Sequence, residues 1–223
     1  MDYRYERKML IENRSRAEVE TLVKLHSAFF REIHNSRYIN NIYFDYIDFK
    51  NFQDNITGNV DRLKYRIRWY GDLLGPAIEP QLELKIKKGI VGTKKNFLLN
   101  NFTINKGMSS KELKNFILVS NIDEQLKIQI KNQIPVILNR YKRRYFESID
   151  KKFRITIDDS QSFYKINNFN NLLVNKIVDN NNIILELKYD KKDDLEAQNI
   201  IKELPFRITK SSKYSRAVEM FYV

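Results

Sequence analysis

Between Lys64 and Tyr70 the chain reads Lys-Tyr-Arg-Ile-Arg-Trp-Tyr, and this alternation restricts the fold more than any other stretch. Period-2 patterning sends successive side chains to opposite faces of a strand. Lys64, Arg66, Arg68 and Tyr70 therefore share one face, and Leu63, Tyr65, Ile67 and Trp69 share the other. The next such stretch sets Glu83, Lys85 and Lys87 against Leu82, Leu84 and Ile86, with breakers at Gly71, Pro80 and Gly89. Either strand alone would be an ordinary solvated face over a core. The pattern repeats, however. Arg4, Glu6 and Lys8 alternate with Tyr5, Arg7 and Met9; Lys152, Arg154, Thr156 and Asp158 with Phe153, Ile155 and Ile157; Glu186 and Lys188 with Leu185, Leu187 and Tyr189. A closed antiparallel sheet with these faces turned inward would be a tunnel lined by cations.

The net charge of +12 over 223 residues favours an anionic partner, and 42% hydrophobic content is enough for a packed core. With no Cys, disulfides, thiolate metal sites and Cys nucleophiles are excluded. His26 and His34 are the only histidines, too few for a His-rich metal centre. No apolar run approaches the ~20 residues of a membrane span, and the first residues carry no signal-peptide pattern. The expected location is the cytosol.

Read in order, residues 3–12 are a strand, and Ser15 with Glu18 forms a capping box that opens a helix. Val19, Leu22, Val23, Phe29, Phe30 and Ile33 continue a helical stripe, which places His26 beside the core and His34 near the helix end. Asn41 to Asp45 is a short strand. Gly71 to Pro80 is a loop, and Gly89 to Lys95 is a turn with neither GxxxxGK[ST] nor GxGxxG, so a phosphate site here must rest on side chains. Ser109 and Glu112 form a second capping box, opening a helical region to about Leu138 that breaks near Asn121. A strand lies near Leu172 to Val178, Asp193-Asp194 caps a helix through Leu204, and Lys210 to Val223 is a basic tail. No repeat or linker appears, so a single domain over residues 1–223 is expected.

The ordered series Glu6-Arg7-Lys8, Ile42-Tyr43-Phe44-Asp45, Arg66-Ile67-Arg68, Glu83-Leu84-Lys85, Tyr141-Lys142-Arg143, Arg154-Ile155-Thr156-Ile157-Asp158, Glu186-Leu187-Lys188 and Ser212-Lys213-Tyr214 resembles the polyphosphate polymerase domain of the VTC (vacuolar transporter chaperone) family. That family belongs to the triphosphate tunnel metalloenzyme superfamily. The resemblance implies an α+β fold, an antiparallel β tunnel barrel of about eight strands with a charged interior, flanked by helices. It implies transfer of the ATP γ-phosphate to the end of a polyphosphate chain with Mn²⁺ or Mg²⁺. By motif, Lys8, Arg66, Arg68, Lys85, Arg143 and Lys213 would carry the reaction on the phosphates. Lys94 (or its neighbour Lys95), Tyr141, Lys188, Ser212 and Arg154 would bind substrate, and Glu186 would hold the metal.

The residue inventory suits that chemistry. Phosphoryl transfer needs alignment and neutralised oxygens more than a protein nucleophile. Arg grips phosphate bidentately and Lys acts as a mobile point charge. A hard divalent cation beside phosphates needs few carboxylates. One departure stands out: hydrolytic relatives begin Glu-x-Glu-x-Lys, and here Arg4 replaces the first glutamate. This disfavours a two-metal tripolyphosphatase. The competing readings are a hydrolase of tripolyphosphate or nucleoside triphosphate, a phosphopolymer-binding module without turnover, and a nucleic-acid binder. The last rests on net charge alone, since no nucleic-acid-binding motif appears, and no nucleic-acid partner is expected.

Overall fold

The structure, a computed structural model, describes residues 4–88, 91–167, 173 and 175–223. Its strands in chain order are β1 (Arg4–Glu12), β2 (Arg31–Asp45), β3 (Asp61–Tyr70), β4 (Gly75–Ala77), β5 (Gln81–Lys88), β6 (Val91–Leu98), β7 (Phe102–Ile104), β8 (Ile134–Glu147), β9 (Arg154–Lys165), β10 (Asn175–Asp179) and β11 (Asn182–Asp190). The helices are α1 (Arg16–Leu25), α2 (Lys50–Ile56), α3 (Ser110–Leu118), α4 (Glu124–Lys131), α5 (Asp194–Glu203) and α6 (Lys213–Tyr222). Eight strands hydrogen-bond in the order β1-β11-β9-β8-β2-β3-β5-β6, β10 pairs with β9, and β4 pairs with β7 separately. The ladders β1–β11, β11–β9, β2–β3, β3–β5 and β5–β6 are antiparallel. Strands β1 and β6 end the path, and no ladder joins them among the described residues. The fold class is the expected α+β arrangement of about eight sheet strands with flanking helices.

The chain divides into two compact units, each assembled from three stretches: Met1–Arg37, Tyr141–Gln161 and Asp179–Ser211 in the first; Tyr38–Arg140, Ser162–Val178 and Ser212–Val223 in the second. In the first unit the apolar faces of β1, β9 and β11 (Met9, Ile155, Ile157, Leu185, Leu187) pack under Val19 and Val23 of α1 and Ala197 and Ile200 of α5. Helix α1 starts where the Ser15–Glu18 capping box satisfies its first donors. In the second unit Ile42, Phe44, Tyr65, Ile67, Trp69 and Leu82 pack against Leu113 and Ile117 of α3 and Leu126 and Ile130 of α4. Helix α6 lies on the opposite face of the second unit's strands, with Tyr214, Ala217 and Val218 against Tyr43, Ile137 and Phe163. In each unit one strand face is thus covered by apolar helix side chains, and in the second unit α6 covers part of the other face beside the charged alternates.

Several sequence expectations change. Helix α1 stops at Leu25 rather than running past Ile33: His26 is extended, and Phe29 takes a left-handed φ of 50° in a turn. Residues 31–45 form one 15-residue strand, so His34 lies mid-strand, edge-on to Tyr145 at 5.6 Å, and meets no helix dipole. His26 is a buried structural residue, its Nε2 3.0 Å from the Ile200 carbonyl. The second helical region ends at Lys131, and the β-branched run from Ile134 enters β8. The basic tail is helix α6. Asp193 makes no side-chain cap bond. Gly89 and Ile90 of the expected turn, and residues 172 and 174 of the expected strand, lie outside the described residues; β10 begins at Asn175. Among the described residues no helix is long and apolar enough to cross a membrane.

Candidate functional site

Each unit carries one buried glutamate ringed by cations. In the first, antiparallel register sets Lys8 opposite Glu186 and Glu6 opposite Lys188. Lys8 Nζ lies 2.9 Å from Glu6 and 3.3 Å from Glu186, and Lys188 Nζ lies 2.9 Å from Glu186. Arg143 Nη2 approaches Glu186 to 3.7 Å, and Thr156 Oγ1 donates to it at 3.5 Å. Arg143 itself is gripped bidentately by the fully buried Asp158, at 2.5 and 2.7 Å, and its guanidinium stands 5.3 Å from the Tyr141 ring centroid. Burial alone would raise the Glu186 carboxyl, but Lys188, Lys8, a hydrogen bond with Glu6 and Arg143 outweigh it and hold it well below the usual range. Burial likewise works against charge on Lys8, and Glu186 and Glu6 outweigh it and raise the ammonium above its ordinary value.

In the second unit Glu83 is the hub. Arg66 Nε donates to it at 2.5 Å with Nη2 also in contact, Arg68 Nη1 lies at 3.3 Å and Lys94 Nζ at 3.0 Å. Burial opposes ionisation of Glu83, yet Arg66, Arg68 and Lys94 bring its carboxyl down to about 2. Arg66 also donates to the Tyr43 hydroxyl at 3.3 Å. One step along the strands, Lys64, Lys85 and Lys94 fall in a single cross-strand row, an arrangement that like-charge repulsion disfavours. Lys64 Nζ reaches Ser212 Oγ at 3.4 Å and stands 5.5 Å from the Tyr214 ring centroid. Ser212 caps α6 and Lys213 is its first residue. The Tyr214 hydroxyl, donating to buried Asp45, anchors that helix; Asp45 also accepts backbone N–H bonds from Tyr46, Asn51 and Phe52.

Of the candidate residues, Lys8, Tyr141, Arg143, Glu186 and Lys188 fall in the first unit's cluster. Arg66, Arg68, Lys85, Lys94, Ser212 and Lys213 fall on the charged face or the α6 start of the second. The register decides between neighbours: Lys94 is on the charged face, whereas Lys95 sits opposite Leu84 on the apolar one. Arg154 does not join Glu186; it pairs with Glu147 at 2.8 Å and is exposed. Arg144 is taken by Glu20 and Glu32. Sequence reading underrated Glu83 and Asp158, the carboxylates that orient the arginines, and passed over Asn41 and Asn139. The missing signal was cross-strand register, since one glutamate among alternating cations reads as an ordinary mixed face.

Among the described residues, Glu186 is where the donor chemistry would suit a divalent cation. Glu186 and Glu6 present oxygen ligands within hydrogen-bonding reach of each other. Among the described residues no group of three or more Asp, Glu or His gathers as a complete ligand set. Two carboxylates would suit an ion that takes its remaining ligands from phosphate and water.

No curated protein matches the chain by sequence. Solved structures match it in fold at low identity. A Hippeastrum protein described as an adenylyl cyclase with a dominant triphosphatase activity shares 12% identity over 98% of both chains, with a TM-score of 0.56. A Pyrococcus horikoshii protein shares 14% identity over 97% of this chain and 99% of its own, with a TM-score of 0.51. A Vibrio parahaemolyticus protein described as an adenylate cyclase shares 9% over 96% of both, with a TM-score of 0.50. The VTC domain family model matches residues 3–222. With that match spanning nearly every element described above, the chain belongs to the VTC domain family.

Proposed function

We propose that the chain is a polyphosphate polymerase, transferring the γ-phosphoryl group of ATP to the terminal phosphate of a polyphosphate chain. The observation that carries this reading is the charge imbalance of the second unit: Arg66, Arg68 and Lys94 surround one carboxylate, Glu83. Three cations with a single countercharge among the described residues call for an anion of several charges. Arg66 and Arg68, their guanidinium planes fixed by Glu83, would donate to non-bridging oxygens and align the phosphate chain. Lys85, Lys94 and Lys213 would act as point charges that tolerate sliding. In the first unit Lys8, Lys188 and Arg143 would meet phosphate oxygens, with Tyr141 beside Arg143. Glu186, with Glu6, would hold Mn²⁺ or Mg²⁺, which supplies further neutralisation of the phosphate oxygens. The nucleophile is the terminal phosphate oxygen of the polymer. Its bond to Pγ forms as the Pγ–O bond to the β-phosphate breaks, leaving ADP and a chain one unit longer. Any export of product would call for a membrane channel, and a separate membrane protein partner is one source of it.

A tripolyphosphate or nucleoside triphosphate hydrolase is the second reading, favoured by likeness to the Hippeastrum protein whose description includes a triphosphatase activity. Arg4 in place of a glutamate speaks against it. Incubation with ATP and Mn²⁺, resolved on a polyphosphate gel beside an Arg66→Ala control, separates the readings. A ladder of long chains that disappears in the control is expected; free phosphate without polymer would select the hydrolase, and bound ATP with neither product a binding module.

A further inference from the structure

The charged face of the second unit ends in a hydrogen-bond donor with no acceptor. Arg68 Nε can only donate, and it donates to Asn41 Oδ1 at 3.0 Å. That fixes the Asn41 amide, whose Nδ2 then faces away and donates to Asn139 Oδ1 at 3.0 Å. Asn139 is fixed in turn, with its own Nδ2 left over at the end of the chain. Reversing both amides would set Asn41 Nδ2 against the Arg68 N–H, donor against donor, so the polarity follows from the arginine and not from an arbitrary amide orientation. Both asparagines are 0% exposed, and Asn139 Nδ2 has no partner among the described residues.

A buried, unpaired amide N–H is costly, and a side chain serving only to support Asn41 need not carry one. An aspartate would accept from Asn41 equally well, leave no donor over, and add a countercharge where Arg66, Arg68 and Lys94 share Glu83 among the described residues. The residue present instead accepts from Asn41 and offers a neutral donor onward. A neutral donor on a face otherwise furnished with cations suits an oxygen acceptor that already carries negative charge.

We propose that Asn139 binds substrate, donating its Nδ2 to a phosphate oxygen of the bound chain, with Asn41 as the positioning residue that holds it in line with Arg68. This rests on the reading that the face binds phosphate. The donor is uncharged, so its contribution resists salt screening, whereas that of Arg68 does not.

The test is calorimetric titration of metal-free protein with tripolyphosphate over a salt series, for wild type, N139A and R68A. For N139A the plot of affinity against salt runs parallel to wild type and roughly 10-fold weaker, the loss expected for one hydrogen bond to a charged acceptor. R68A is weaker with a shallower slope. An N139A line superimposed on wild type overturns the inference, and so does a shallow slope like that of R68A, which would mean that Asn139 only props the arginine. If N139A loses its cooperative melt, N139D carries the decision: it keeps the volume and the acceptor for Asn41, and is expected to bind at least 10-fold more weakly, while affinity equal to wild type overturns the proposal. Absence of binding by wild type would instead sink the phosphate reading itself, and this inference with it.

Discussion

Glu186 and Glu83 are both buried glutamates touching three cations, yet the charge around them sums differently. Around Glu186 the cations Lys8, Lys188 and Arg143 are matched by Glu6, Glu186 and Asp158. Around Glu83 the cations Arg66, Arg68 and Lys94 share that single carboxylate among the described residues. A balanced group with two neighbouring carboxylates can exchange a cation partner for a metal ion. A group with surplus positive charge can only be completed by an anion. The same local motif, glutamate among alternating cations, thus supports two roles according to what the adjoining strands contribute.

The largest effect expected from breaking this contrast is at Arg66. Arg66→Ala removes a guanidinium from the unbalanced group and should lower kcat/KM with ATP by roughly 10²–10³-fold, as loss of one strong donor to developing charge does elsewhere, read by the polymer or phosphate assay. Glu186→Gln should cut metal-dependent turnover by about 10²-fold, while tripolyphosphate affinity in chelator stays near wild type. Equal losses in both measurements would erase the distinction between the clusters. Glu83→Gln leaves three cations without a countercharge and should cost on the order of 3 kcal/mol of stability, seen as a lower Tm. Tripolyphosphate should recover more of that Tm than it adds to wild type.

Acid sharpens the same point. Glu83 has a folded-state pKa of about 2 against an ordinary 4.5. Its stabilisation is therefore complete above 4.5 and is lost as pH falls toward 2, on the order of 3 kcal/mol in all. Denaturant melts across that window should lose more stability in wild type than in Glu83→Gln. The smallest effect belongs to Lys152→Ala. This removes exposed contacts to Asp150 and Glu196, and should leave both Tm and activity at wild-type values.

How much of this was legible beforehand varies by element. The alternations of β3, β5, β9 and β11 were readable because one face had to be apolar and the other was conspicuously charged. The capping boxes at Ser15 and Ser109 were readable because a helix start is a local event. The end of α1 was not. Phe29, Phe30 and Ile33 satisfy a helical stripe, and the left-handed turn at Phe29 that overrides it is carried by no glycine. Strand β2 was likewise half hidden, since residues 31–38 are mostly exposed and show no apolar face. Individual candidate cations could be placed on their strand faces, but the choice of Lys94 over Lys95, the diversion of Arg154 to Glu147 and the Arg68–Asn41–Asn139 chain all depend on which strands become neighbours.

The pairing of β1 with β11 has a consequence for the order of assembly. Lys8 meets Glu186 across roughly 180 residues of intervening chain. At ~5–20 residues per second of synthesis, the strand bearing Glu6 and Lys8 waits about 10–40 s before its partner is made. Until then it is a nascent edge with unpaired backbone groups, and an early nucleus must form elsewhere, from closer ladders such as β3–β5. The earlier-made strand of this pair is among the last to be satisfied.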